Sequence, residues 1–195
     1  HPEEEKGDEA FSKALSTLGD VYVNDAFGTA HRAHASTTVI AKYFPDSKLF
    51  GYLVQRELDS LGKVLELPKK PLLAIVGGAK VSSKIDVLKN LLDKCDEVII
   101  GGGMAFTFIK AQGGKVGASL VEEDHLETAI DILAAAKEKS VILHLPVDAV
   151  VADAFADNAN TDVCPADAIP DGWMGLDIGP KTIKLFSVAV KRAKT

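Results

Sequence analysis

Leu72-Leu73-Ala74-Ile75-Val76-Gly77-Gly78-Ala79-Lys80-Val81-Ser82-Ser83-Lys84 passes from an unbroken apolar run, through paired glycines, into the start of a helix. An apolar stretch without alternation is the mark of a strand covered on both faces. The pattern then changes to helical spacing, with Ile85, Leu88, Leu92 and Cys95 on one side. Ser82 and Ser83 are available to cap its first turn. The same rhythm follows downstream. Residues 98–100 read as a strand, Gly101-Gly102-Gly103 as its loop, and residues 105–112 as a helix closed by Gly113. A helix over 123–139 presents Leu126, Ile130 and Leu133, and residues 141–145 read as a third strand. Residues 153–173 read as irregular, 176–178 as a short strand and 181–193 as a final helix. Repeated β-α units predict an α/β fold, a Rossmann-like parallel sheet with right-handed crossovers and helices on both faces.

Upstream, the pattern is different. Phe11, Leu15 and Leu18 share one face of a helix over 8–18, with Gly19 as its stop. Residues 21–23 read as a strand, 24–29 as a polar loop and 31–43 as a helix ended by Pro45. Val54, Leu58, Leu61 and Leu65 form a single stripe along a long helix over 47–67, which Pro68 and Pro71 stop. The change of rhythm beyond that helix divides the chain into 1–46, a connecting helix over 47–67, and 68–195.

Composition narrows the function. The chain has 195 residues, 47% hydrophobic and 26% charged, which excludes a disordered tail, a collagen-like fibre and a disulfide scaffold. A net charge of −6 argues against a dedicated nucleic-acid binder. Cys95 and Cys164, the two cysteines, read as isolated thiols of a reducing compartment, and no C-x-x-C pair suggests zinc. No apolar run approaches the roughly 18 residues of a membrane span. The opening His1-Pro2-Glu3-Glu4-Glu5 reads as the interior of a longer polypeptide, with the acidic residues favouring a helix start.

Ligands of parallel sheets sit where strands end and helices begin. Two glycine-rich loops occupy that place. In Gly77-Gly78-Ala79-Lys80-Val81-Ser82-Ser83-Lys84, glycine admits a close backbone approach, the helix start favours an anion, and Lys80 and Lys84 add positive charge. The bland alternative is a tight turn with surface lysines. The loop is not a Walker A motif, and Gly101-Gly102-Gly103-Met104 is not the G-x-G-x-x-G fingerprint of dinucleotide binding. A third candidate is Gly28-Thr29-Ala30-His31-Arg32-Ala33-His34, where Arg32 is suited to a carboxylate or phosphate. His31 and His34 lack the acidic or cysteine partners a metal site needs, so no metal ligand is assigned. His125 and His144 stand alone in regular elements, and no Ser-His-Asp or G-x-S-x-G arrangement occurs.

Taken together, these segments resemble the phosphoglycerate kinase family. Val23-Asn24-Asp25-Ala26-Phe27-Gly28-Thr29-Ala30-His31-Arg32-Ala33-His34 is similar to the signature around that family's substrate-binding arginine. Residues 77–85, Ile100-Gly101-Gly102-Gly103-Met104-Ala105-Phe106-Thr107-Phe108 and Gly172-Trp173-Met174-Gly175-Leu176-Asp177-Ile178-Gly179-Pro180 resemble three further motifs, in the same order. The resemblance implies two Rossmann-like lobes joined by a long hinge helix, with residues 1–46 in the phosphoglycerate lobe and 68–195 in the nucleotide lobe. It implies reversible phosphoryl transfer between 1,3-bisphosphoglycerate and ADP, giving 3-phosphoglycerate and ATP, with Mg2+ accompanying the nucleotide. Arg32 would bind the phosphoglycerate with Gly28 and His31 beside it. Lys84 would neutralise the phosphoryl group in flight, with Lys80 assisting. Gly78, Ala79, Gly102, Gly103, Gly175, Leu176 and Phe155 would border the nucleotide.

Several of the family's segments have no counterpart here: its D-x-N-V-P strand, H-L-G-R-P loop, W-N-G-P-x-G-x-F-E segment and G-G-G-D loop. The last of these carries the acidic residue used for magnesium. The expectation is therefore an internal segment, roughly the middle half of a monomeric kinase of the cytoplasm or plastid stroma, with both lobes incomplete. The alternative is a non-catalytic nucleotide-binding piece of that enzyme. A dinucleotide oxidoreductase is disfavoured by the absent fingerprint.

Overall fold

The computed structural model describes residues 1–195, the side chain of Leu65 excepted. The chain divides into two compact units, His1–Leu67 and Pro68–Thr195.

In the first unit, α1 (Pro2–Glu5) precedes α2 (Glu9–Ser16), which starts where the Asp8 carboxylate accepts the Phe11 N–H at 2.7 Å. β1 (Tyr22–Asn24) pairs in parallel with β2 (Lys48–Phe50), Val23 opposite Leu49. β2 lies within the stretch expected to be helical, and the long helix α3 runs only over Tyr52–Leu65. Its start is set from a distance. Asp25 accepts the Val54 N–H at 3.0 Å, and a Cβ on Gly51 would fall 2.2 Å from the Asp25 carboxyl carbon. That cap, and the glycine it requires, delay the helix. Of the expected stripe, Val54 is buried, Leu58 and Leu61 are exposed, and the Leu65 side chain lies outside the described residues.

The helix expected over 31–43 is absent. A single 3-10 segment, Val39–Tyr43, remains. The preceding carbonyls are taken by other groups: the Tyr22 hydroxyl donates to Ser36 and Thr37 oxygens at 2.9 and 3.0 Å, and the Thr38 hydroxyl donates to the Arg32 carbonyl at 3.0 Å. Side-chain bonds of this kind compete with the helical ladder.

The second unit holds the expected α/β core. β3 (Leu73–Gly77), β4 (Glu97–Gly101) and β6 (Ile142–His144) form a parallel sheet with β4 central. Val98 and Ile100 point into a core with Leu88 and Leu92 of α4 (Ile85–Leu92), Phe108 of α5 (Met104–Ala111) and Ile132 of α6 (Leu126–Glu138). Ile99 points the other way, onto Phe186 and Ala189 of α7 (Pro180–Arg192). Burial on both faces thus holds for β4, whereas Ile75 of the edge strand β3 is 65% exposed. On α6 the inward face is Ala129, Ile132 and Ala136, with Ile130 half exposed. Small residues let this helix approach its neighbours closely, which a count of large apolar side chains does not register.

The stretch expected to be irregular contains strands. β7 (Asp148–Ala152) is flanked by antiparallel β8 (Thr161–Pro165) and β10 (Met174–Ile178), while β5 (Lys115–Val116) pairs with β9 (Ala168–Ile169). The fold is α/β, as expected, with an antiparallel sheet added to the parallel one.

Two carboxylates fasten α7. Asp148, 4% exposed, accepts the N–H groups of Lys181 and Thr182 at the helix start. Glu97, 3% exposed, takes the Arg192 guanidinium in a fork of 2.9 and 2.6 Å, with His144 Nε2 at 2.7 Å. The Arg192 hydrogen bond holds the Glu97 carboxyl below its ordinary 4.5, against the upward push of burial. A depressed carboxyl pKa contributes stability above the unfolded value and loses it as pH falls through the folded one. Glu97→Gln is accordingly expected to destabilise the second unit by about 2 kcal/mol at neutral pH. Denaturant melts should show that gap closing as pH falls below 4.5.

Candidate functional site

The carboxyl ends of β3 and β4 are aligned, with Gly77 opposite Gly101, so both glycine loops leave the sheet at one edge. They touch backbone to backbone. Gly102 has φ +67°, and a Cβ there would lie 2.8 Å from the Gly78 carbonyl oxygen. Only glycine fits both demands. The Met104 N–H then donates to that same Gly78 oxygen at 2.9 Å, tying the start of α5 to the first loop. Gly103 faces Ala79 and Leu120 closely.

Lys84 lies across the first loop, its Cε 3.8 Å from the place of a Gly78 Cβ. Neither Lys84 nor Lys80 takes part in an ion pair among the described residues. Ser82 and Ser83 do not cap α4 as expected. The Ser83 hydroxyl turns back to the Lys80 carbonyl, and Ser82 gives both its hydroxyl and its N–H to Glu122, at 2.6 and 3.0 Å. No side chain caps α4 at Lys84, and the amides of the 3-10 turn ahead of it, at Val81 and Ser82, are taken by the Glu122 carboxylate.

The third motif meets the second through an aromatic ring. A Cβ on Gly175 would stand 2.1 Å from Phe106 of α5, whose ring is 4% exposed. The pairing of β10 with β7 shifts register between Gly175 and Asp177, so Leu176 is left unpaired and 44% exposed. Bulges of this kind re-aim a side chain at a site's rim. A cavity of about 30 Å³ is bounded by Gly102, Phe106, Pro146, Leu176, Asp177 and Ile178.

Thus Gly78, Ala79, Lys84, Gly102, Gly103, Gly175 and Leu176 gather about one edge of the second unit, with Lys80 on the exposed side of the first loop. Phe155 does not join them. It is 86% exposed on the loop between β7 and β8. In the first unit, Gly28 lies in a 3-10 turn, Phe27–Thr29, and His31 and Arg32 follow it on the exposed surface. Arg32 has no ion-pair partner among the described residues. No group of three or more His, Cys, Asp and Glu suited to a metal ion is found among the described residues.

Sequence reasoning passed over the segment 117–122. The Ser119 hydroxyl accepts the Gly175 N–H at 2.9 Å, Leu120 reaches Gly103, and Glu122 holds Ser82. Burial pushes the Glu122 carboxyl up, but the Ser82 hydroxyl and the Ser82 and Val81 N–H groups outweigh it and leave it below the ordinary value. Only Gly117 offered a local signal, a glycine at φ +55° wedged against the Pro170 and Trp173 carbonyls.

The sequence model of the family Phosphoglycerate kinase matches residues 1–195. The chain is 59% identical to a chloroplastic phosphoglycerate kinase of Volvox carteri, covering 100% of this chain and 42% of that protein. It is 58% identical to the cytosolic phosphoglycerate kinase 3 of Arabidopsis thaliana, again over 100% of this chain and 48% of the relative. A solved structure of phosphoglycerate kinase from Coxiella burnetii superposes with a TM-score of 0.86 at 43% identity, covering 98% of this chain and 49% of that one. The chain therefore spans less than half the length of these relatives.

Gly175→Ala is expected to displace the Phe106 ring and cost about 1–3 kcal/mol by overpacking. Thermal denaturation of the variant beside the parent protein checks it, since an unchanged midpoint means the ring can move freely.

Proposed function

This chain belongs to the phosphoglycerate kinase family, and on that premise we propose that its second unit binds Mg-ADP or Mg-ATP while Arg32 of its first unit binds the phosphoglycerate. The reaction is reversible phosphoryl transfer between 1,3-bisphosphoglycerate and ADP, giving 3-phosphoglycerate and ATP. The observation that carries the reading is the convergence of three separate glycine motifs on one edge: Gly78 against Gly102, and Gly175 against Phe106. Such contacts create an uncluttered surface on which a flat base and a phosphate chain can lie against backbone.

Phosphoryl transfer asks mainly for positioning and for positive charge where negative charge develops. Lys84, lying over the first loop and free of a carboxylate partner, is the group proposed to stabilise the transferred phosphoryl, with Lys80 assisting at the phosphates. Gly28 and His31 flank Arg32, whose guanidinium suits a carboxylate or phosphate in a paired fashion. The described residues do not fit a protein-held magnesium ion, so no step is assigned to one and Mg-ADP is treated as the substrate. The proposed working compartment is the plastid stroma or the cytosol, a reading that chloroplastic and cytosolic relatives support.

Two measurements test the reading. Trp173 is the only tryptophan and lies two positions before Gly175, so its fluorescence reports the site. A titration of the 195-residue chain with Mg-ADP is expected to give a saturable change that Lys80→Ala/Lys84→Ala abolishes. No change in a protein shown folded by circular dichroism would remove the half-site from this chain. In the complete polypeptide that carries this sequence, Lys84→Ala is expected to lower kcat roughly a hundredfold or more with a smaller change in KM. An unaltered kcat takes Lys84 out of the chemistry. The 195-residue chain alone, spanning less than half of its relatives, is expected to show little or no turnover.

A further inference from the structure

We infer that the strap Gly117–Glu122, through Ser119 and Glu122, is the positioning element that holds the three glycine motifs in register for the nucleotide. The inference rests on the nucleotide site proposed above. Each motif sits on a different element: the first loop after β3, the second between β4 and α5, the third on β10. Beside the start of α5, whose Met104 and Phe106 meet the first and third motifs, the strap is a second segment with a bond or close contact to all three. The Glu122 carboxylate takes the Ser82 N–H and hydroxyl at 3.0 and 2.6 Å, which clamps the turn leading into Lys84. Ser119, 9% exposed, takes the Gly175 N–H at 2.9 Å. Leu120 packs where a Gly103 Cβ would stand, 3.2 Å away.

The strap is itself anchored. The Glu122 N–H donates to the hydroxyl of Thr107, which is wholly buried on α5. The Ala118 N–H donates to the Trp173 carbonyl at 2.7 Å, and Gly117 fits against that carbonyl and Pro170's only because it lacks a side chain. Glu122 thus joins a rigid helix to the lysine-bearing turn, and its charge strengthens both bonds to Ser82. Its carboxylate does not pair with Lys80 or Lys84, which leaves their charges to the ligand. Glu122 and Ser119 act through other residues and have no contact of their own with the reacting atoms.

The test uses the complete polypeptide carrying this sequence, with equilibrium binding of Mg-ADP measured beside steady-state kinetics. Glu122→Ala is expected to weaken Mg-ADP binding and lower kcat/KM for nucleotide about tenfold, leaving KM for the phosphoglycerate unchanged. Glu122→Gln, whose amide oxygen can still accept the Ser82 N–H while its NH2 donates to the Ser82 hydroxyl oxygen, is expected to recover most of the loss. Ser119→Ala should weaken nucleotide binding while leaving the Glu122 clamp intact. A Glu122→Ala enzyme with unchanged nucleotide affinity overturns the inference. Equal impairment toward both substrates overturns it too, because it reports general loss of structure. Should Glu122→Ala fail to fold, Glu122→Gln and Ser119→Ala carry the test, and nucleotide binding unchanged in Ser119→Ala overturns the strap's hold on the third motif. A parent protein that turns over normally while Glu122→Ala binds normally refutes the strap alone. A parent protein that neither binds Mg-ADP nor transfers phosphate removes the site and the strap with it.

Discussion

Gly102 stands so near Gly78 that a single added carbon would lie inside van der Waals contact with the Gly78 carbonyl. That approach is possible because β3 and β4 pair in parallel and in register, ending with Gly77 beside Gly101. A shift of one residue would turn Val98 and Ile100 out of the core and bring Ile99 in, so the hydrophobic pattern of β4 locks the register. The loops then have one relative position. The start of α5, the line of Phe106 and the fit of Gly175 all follow from it, since the Met104 N–H bonds the first loop and Phe106 lies one helical half-turn beyond.

Charge is used in two ways in this unit. Glu97 and Asp148 are buried carboxylates whose oxygens are taken by donors from α7, and each secures one end of that helix to the sheet. Such bonds matter because leaving either carboxylate without its donors would expose the full cost of burying it. Lys80 and Lys84, by contrast, have no acidic partner among the described residues. Positive charge left unanswered by the protein is suited to an anion brought from outside. The contrast between carboxylates satisfied by α7 and lysines left unpaired is what marks the glycine-loop edge as the working one.

Much of the second unit was legible from the order of residues. The strands β3, β4 and β6, the helices between them and the closing α7 follow from apolar runs and one-sided stripes, which are local signals. The first unit was less legible. Residues 31–38 carry a helix-like pattern, but their carbonyls serve Tyr22 and Asn24, a competition no window of sequence contains. β2 is three residues long, and it becomes a strand only by lying beside β1. In the stretch 153–173, Thr161–Pro165 carries too little apolar alternation to stand out, and it is held by its ladder with β7.

The order of residues alone determined the β-α rhythm, the two glycine loops with their lysines, the arginine segment and the family these motifs resemble, because each is written within a dozen neighbouring positions. Tertiary structure alone decided which glycines touch, that Asp25 starts α3, that Phe155 stands apart, and that Ser119 and Glu122 bind the site together. The hydrogen bonds of Asp25, Glu122 and Ser119 among these join residues 29 to 56 positions apart. Their partners are ordinary serines, acids and backbone groups, whose meaning depends wholly on what the fold sets beside them.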